Sequence, residues 1–343
     1  MVRIIVDPRV SGGLPIKYRS MRTLTYLAWI ARDMGHDVVV RADPAGIKAL
    51  RSQQTRDGTD GFAYLNLLLT MPFTSDADTH CDVLICTEEK ALRQPRPSCK
   101  VAAWRTMKGG GDKAIKGRGK FDLLCSHVLS QPDWTQQTTT KGKKRGDVPL
   151  KNPLGGKWFQ VPLLPFERTL YRIHKDDMWK AYLQDDLEAM RAKYGSPKKK
   201  RHAGFVGHPW SWRTAIGRTL DDSRFVFRWV VSDKRETHLR PNDYLRWLSE
   251  CRLSLNLPGD TWACSRFAES AIMGVPIVHP RDTVYLTPPL TDDNAVLVSD
   301  WAEMLTWDKL DDLPRITANA DKAYREGWSL RGQFQQMLRR LGI

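Results

Sequence analysis

A chain of 343 residues is longer than one hydrophobic core usually serves, so two domains of ordinary size are expected. With 41% hydrophobic residues, 13 Trp and no apolar run near the roughly 20 residues that a membrane span needs, the composition describes a folded protein and excludes a disordered or membrane-spanning one. The net charge of +15 is concentrated in one region: residues 93–157 carry 15 Lys and Arg against 4 Asp, a one-sign field that attracts polyanions, of which nucleic acid is the commonest inside a cell.

In chain order, VRIIVDP opens with a short apolar strand. Met21, Leu24, Leu27, Ala28 and Ala31 then recur at helical spacing until Gly35, and residues 36–40 form a second strand. This is a βαβ unit, which requires a parallel sheet with helices on its faces. CDVLIC (81–86), CKVAAW (99–104) and FDLLCSHV (121–128) extend that sheet as buried strands. MKGGGDKAIKGRGK (107–120) and TTTKGKKRGDVPLKNPLGGK (138–157) have no period of their own and read as basic loops. Two prolines in FQVPLLPFERTL (159–170) mark the crossing into a second unit.

A helix is expected over 176–194, after which the pattern restarts. AGFVGHPWSWRTAIGRTL (203–220) reads as strand, loop and helix, RFVFRWVV (224–231) as strand, and PNDYLRWLSECRLSLNL (241–257) as helix then strand. VPIVHP (275–280) and NAVLVS (294–299) supply two more strands, and 316–341, which lacks Pro and ends in Arg-Arg, reads as a C-terminal helix. The expected division is a first domain over 1–163 with the basic loops, a second over 164–320, and a helix over 321–343 packing back towards the first. The fold class is α/β, with two Rossmann-like domains facing a cleft.

The opening strand leaves no room for a signal peptide, so a soluble, cytoplasmic protein is expected. The six Cys form no C-x-x-C pair and have no His at zinc spacing, which points to buried reduced thiols. No D-x-D pair stands in an obvious metal position, and no metal is expected.

The most informative stretch is SLNLPGDTWACSRFAESAIMGVPIVHP (254–280). A strand ends in the turn Pro258-Gly259-Asp260, and a helix is expected to start near Thr261 to Ser265, whose unpaired N–H groups favour a phosphate. Arg266 offers a planar fork suited to a diphosphate, and Glu269, three residues on and on the same face, can accept hydrogen bonds from ribose hydroxyls. An ordinary i, i+3 ion pair is the alternative. Asp233 and Lys234 follow a strand and border the same edge, while Gly12 and Gly13 either admit a sugar or phosphate to the backbone or simply make a turn.

The run LSLNLPGDTWACSRFAESAIMGVPIV resembles the donor-site segment of GT-B glycosyltransferases, most nearly the exostosin-like ones. The resemblance implies a nucleotide-sugar donor, a UDP-sugar before others, with Glu269 on the ribose and Arg266 on the diphosphate. GFVGHPWSWR is similar to the loop that opens the donor domain in that family, which implies Gly207 and Arg213 beside the phosphates. The opening βαβ unit, CDVLIC and FDLLCSH resemble the acceptor domain of phage DNA glucosyltransferases.

That second resemblance implies transfer to a hydroxyl on a hydroxymethylated base of double-stranded DNA in an infected bacterial cell, with the base flipped from its stack. Arg105, Lys108, Lys113, Lys116, Arg118, Lys141, Lys143, Lys144 and Arg145 are then the DNA contacts. Retaining enzymes of the class often carry a second Glu eight positions before the first, where this chain has Thr261, so the stereochemical outcome stays open. An inverting enzyme needs a base, for which Asp7 and His127, both at strand ends, are the candidates. The alternatives are a transferase acting on an envelope polysaccharide or lipid-linked acceptor, and a nucleic-acid-binding protein without turnover.

Overall fold

A computed structural model describes residues 1–8, 18–42, 45, 63–74, 80–93, 97–105, 119–126, 154–162, 164–165, 167–230, 239, 241–257, 263–281 and 283–343. The chain divides into two units. Unit 1 comprises Met1–Gln131, Lys151–Val161 and Leu330–Ile343, and unit 2 comprises Pro132–Leu150 and Pro162–Ser329.

Unit 1 is built on the strands β1 (Arg3–Asp7), β2 (Asp37–Arg41), β3 (Phe73–Thr74), β4 (Val83–Thr87), β5 (Lys100–Arg105), β6 (Leu123–Ser126) and β7 (Trp158–Gln160). They form one sheet in the order β3-β2-β1-β4-β5-β6-β7, with every pairing parallel. Ile4, Ile5, Val6, Val83 and Ile85 are inaccessible to solvent, as strands covered on both faces require. The described helices are α1 (Tyr18–Asp33), α2 (Ala63–Leu68) and α3 (Glu88–Arg93), and α1 buries Leu24, Leu27, Ala28 and Ala31. Gly35, at φ 83°, ends α1 in the left-handed region that side chains disfavour.

Unit 2 begins with three short helices, α4 (Glu167–Lys175), α5 (Trp179–Leu183) and α6 (Leu187–Tyr194), where one helix over 176–194 was expected. The breaks fall at Asp177 and Asp185, both at positive φ (56° and 59°), a conformation that Asp tolerates because its side chain bonds locally. Asp177 accepts from Trp179 Nε1 at 3.0 Å, and Asp186 caps α6 by accepting from the Ala189 amide at 3.0 Å. The strands β8 (Arg201–Gly207), β9 (Phe225–Trp229), β10 (Cys251–Leu255), β11 (Ile277–Pro280) and β12 (Val296–Val298) form a second parallel sheet in the order β12-β11-β10-β8-β9. Its helices are α7 (Ser211–Thr219), α8 (Pro241–Ser249), α9 (Arg266–Ile272) and α10 (Leu313–Ala323).

The stretch 316–341 is not one helix. After α10 comes a π-helical turn, Tyr324–Trp328, then an extended Ser329, and α11 (Leu330–Leu341) follows. Packing forces the break: Trp328 Nε1 donates to the Pro288 carbonyl at 2.7 Å, Ser329 Oγ donates to Asp185 at 2.6 Å, and a Cβ on Gly327 would meet the Thr287 carbonyl oxygen at 1.9 Å. Within unit 1, α11 packs on α1, with Arg331 paired to Asp33 at 2.6 Å and Phe334 edge-on to His36.

Both sheets are wound in two directions from an interior point. In unit 1 the chain turns back between β1 and β4, and in unit 2 between β8 and β10. Sheets of this kind bind ligands beyond the carboxyl ends of the strands that flank such a reversal.

Candidate functional site

In unit 2 that position is cationic. Arg266, the first residue of α9, spans the reversal: Nη1 donates to the Leu257 carbonyl just past β10 at 2.8 Å, and Nη2 donates to the Val206 carbonyl of β8 at 3.2 Å. Its guanidinium lies 4.5 Å from the centre of the Phe205 ring. Arg213, buried on α7, sits 5.2 Å from the same ring and 4.4 Å from that of Trp210, and donates to the His208 carbonyl at 3.2 Å. Two guanidinium groups therefore share one aromatic ring at the end of β8, and the ring faces offset part of the cost of holding like charges close.

Gly207 makes this arrangement possible. A Cβ there would lie 2.6 Å from Phe205 Cζ and 3.2 Å from Arg213 Nη1, so only glycine lets ring and guanidinium close around the strand end. Ser265 precedes α9 in a helical conformation and makes no side-chain cap bond. The described helix starts at Arg266, after the expected span of 261–265, of which Thr261 and Trp262 lie outside the described residues.

Glu269 is almost wholly buried. Its Oε1 accepts from Thr169 Oγ1 of α4 at 3.2 Å and its Oε2 from the Tyr244 hydroxyl of α8 at 3.0 Å, so both carboxylate oxygens bind hydroxyls of this chain. Burial first, and the Glu269 charge after it, push the Tyr244 hydroxyl well above its ordinary range and keep it a donor. This carboxylate ties three helices together behind Arg266.

A buried polar chain runs beside it, and sequence reasoning missed it. Cys264 donates its S–H to Asn256 Oδ1 at 2.9 Å, and Asn256 Nδ2 lies 2.8 Å from His279 Nδ1. An amide nitrogen only donates, so Nδ1 accepts and Nε2 carries the proton, which reaches Thr283 Oγ1 at 2.7 Å; that hydroxyl in turn donates to the Pro280 carbonyl at 3.0 Å. Burial lowers His279 from 6.5 to about 3, which keeps the ring neutral. The signal available in the sequence was a polar residue at the end of each apolar run, Asn256 in SLNL and His279 in PIVHP.

At the unit 1 reversal stands a carboxylate paired with a guanidinium. Asp7 ends β1, is inaccessible to solvent, and lies 4.0 Å from Arg41 Nη1 at the end of β2. Arg105 ends β5. His127, Gly12, Gly13, Lys234, Lys108, Lys113, Lys116, Arg118, Lys141, Lys143, Lys144 and Arg145 lie outside the described residues.

Among the described residues no three His, Cys, Asp or Glu side chains come together to hold a metal ion, and no helix is long and apolar enough to cross a membrane.

No family model matches the sequence, and no curated protein does. Among solved structures, the chain is similar to the Anabaena protein Alr3699/HepE in complex with UDP, at 14% identity over 100% of each chain and a TM-score of 0.41. It is similar to an α1,3-fucosyltransferase at 10% identity over 99% of this chain and 88% of that one, with a TM-score of 0.42. A glycosyltransferase from Rickettsia africae ESF-5 gives 11% identity over 99% and 97%, with a TM-score of 0.44. With TM-scores and identities this low, the chemistry has to be read from the chain's own residues.

Proposed function

We propose that this chain is a GT-B glycosyltransferase that holds a nucleotide-sugar donor, a UDP-sugar before others, at the β8/β10 reversal of unit 2. The observation that carries the reading is the pair of guanidinium groups, Arg213 and Arg266, at a strand end where parallel sheets take phosphate ligands. In the transfer, an acceptor hydroxyl loses its proton to a base, its oxygen forms a bond to the anomeric carbon, and the bond from that carbon to the diphosphate breaks. Negative charge gathers on the departing diphosphate, and fixed guanidinium groups stabilise it there more than in the ground state. Arg266 has a second duty, since two strand ends depend on its hydrogen bonds.

Unit 1 supplies the acceptor side in this reading. Residues 93–131 and 151–157, which belong to unit 1, carry 11 Lys and Arg against 2 Asp, an excess that favours a polyanion, and a hydroxymethylated base in phage duplex DNA is the acceptor proposed. Asp7 or His127 takes the proton. In the case of Asp7, the neighbouring Arg41 holds the carboxylate in place, and the acceptor oxygen has to be brought to a buried group.

The test is to incubate the protein with a panel of nucleotide sugars and duplex DNA carrying plain or hydroxymethylated cytosine, then weigh the nucleosides. A hexose or pentose increment on the modified base alone is the expected result. No increment with any donor, in a protein that still binds UDP, moves the acceptor to a glycan or lipid; no UDP binding overturns the transferase reading itself.

A further inference from the structure

Cys81 stands two residues before the start of β4 and Cys99 one before that of β5, two strands paired in parallel from Val83 opposite Lys100. Their sulfurs are 3.2 Å apart, with the Cys81 S–H donating to Cys99 Sγ. The two thiols differ in access, Cys81 being buried and Cys99 only partly so, and both are reduced. A disulfide needs an S–S separation of about 2.05 Å, so the two sulfurs, now 3.2 Å apart, have only about 1 Å to close.

We propose that Cys81 and Cys99 form a redox-modifiable dithiol that a peroxide closes into a disulfide, stapling the starts of β4 and β5 without involving the strand ends at which the donor and acceptor groups lie. The chemistry assigns each sulfur a role. The hydrogen bond from Cys81 brings the Cys99 thiol down to about 7, while the same bond, followed by burial, pushes Cys81 up. Cys99 is therefore the attacking thiolate and Cys81 the resolving thiol. The Cys99 thiolate displaces hydroxide from hydrogen peroxide, giving a sulfenic acid, and the hydroxide leaves as water after taking a proton. The Cys81 sulfur then attacks the sulfenic sulfur, the S–S bond forms, the S–O bond breaks and a second water departs. Two thiols are oxidised by two electrons and one peroxide is reduced to two waters.

Cys86, Cys125, Cys251 and Cys264 are buried. Burial shields these four from peroxide, whereas Cys99 is only partly buried.

The full-length chain, freshly reduced, is treated with an equivalent of hydrogen peroxide, alkylated without reductant and analysed by mass. The expected product has lost two hydrogens, keeps four alkylatable thiols and melts several degrees higher than the reduced chain, because a closed loop constrains the unfolded state. The loss persists in Cys86→Ser and disappears in Cys81→Ala and Cys99→Ser. A second readout does not depend on closure: Cys99 in the reduced protein alkylates faster than every other thiol near neutral pH, and slows several-fold in Cys81→Ala. Six alkylatable thiols after peroxide, a link between two copies of the chain, or a Cys99 rate unchanged by Cys81→Ala each overturns the proposal.

Discussion

The two sheets reverse direction at the same kind of position and furnish it differently, one with two guanidinium groups and the other with a paired carboxylate. Between β8 and β10 the chain gathers two guanidinium groups around Phe205; at the end of β1 it buries the carboxylate of Asp7 against Arg41. The topology fixes where a ligand goes, and the side chains at the strand ends fix which ligand. A cationic reversal suits a departing diphosphate, whereas a buried carboxylate suits a proton acceptor, and the proposed function rests on assigning the two positions to leaving group and nucleophile respectively.

The sharpest way to break this contrast is to remove one charge from each side. Asp7→Asn is expected to reduce turnover about 100-fold or more while leaving UDP affinity unchanged, as loss of a general base does; equal turnover assigns the proton to another group. Arg266→Ala is expected to weaken UDP about 10- to 100-fold, the scale of a lost charge-assisted hydrogen bond. Arg266→Lys should recover only part of this, because an ammonium cannot span the Val206 and Leu257 carbonyls and a phosphate together. UDP affinity that is unchanged in Arg266→Ala would leave the strand-end bonds as the residue's whole function.

Stability tests sharpen the same contrast by probing what supports the cationic side. His279 is held neutral in the fold at about 3, below the 6.5 of an unfolded chain. Between those values the unfolded state binds the extra proton, so stability rises with pH across the window and falls as the solution is acidified from about 6.5. The loss amounts to a few kcal/mol by pH 3, and His279→Gln should flatten the acid limb of a denaturation series. Glu269→Ala leaves the Thr169 and Tyr244 hydroxyls without their acceptor, for an expected cost of about 2–4 kcal/mol read from urea midpoints. Gly207→Ala pushes a methyl group into the Phe205 ring and should cost about 1–3 kcal/mol.

The α/β pattern was legible because buried parallel strands are short continuous apolar runs, and VRIIV, DVLIC and RLSLNL name their strands directly. The helix breaks were not. Asp177 and Asp185 adopt positive φ, Asp177 with a local bond from Trp179 but Asp185 with a bond from Ser329 far along the chain, and Ser329 is extended because Trp328 and Gly327 pack against 287–288, a contact far away in sequence.

At the site, Arg213 and Arg266 were singled out through a resemblance to a known donor segment, and the structure brings both guanidinium groups to the Phe205 ring. What the motif could not reveal is that Glu269 faces Thr169, 100 positions earlier in the chain, or that Asn256, Cys264 and His279 link into one chain of hydrogen bonds. Such partners come from different elements, and spacing along one helix says nothing about them.

The most direct measurement is a calorimetric titration of UDP, UMP and uridine into the intact chain and into Arg213→Ala and Arg266→Ala. If the β8/β10 reversal is a diphosphate site, affinity falls with each phosphate removed, and this dependence shrinks in both variants. Equal affinity for UDP and uridine, or a phosphate dependence that survives loss of either arginine, would contradict the account.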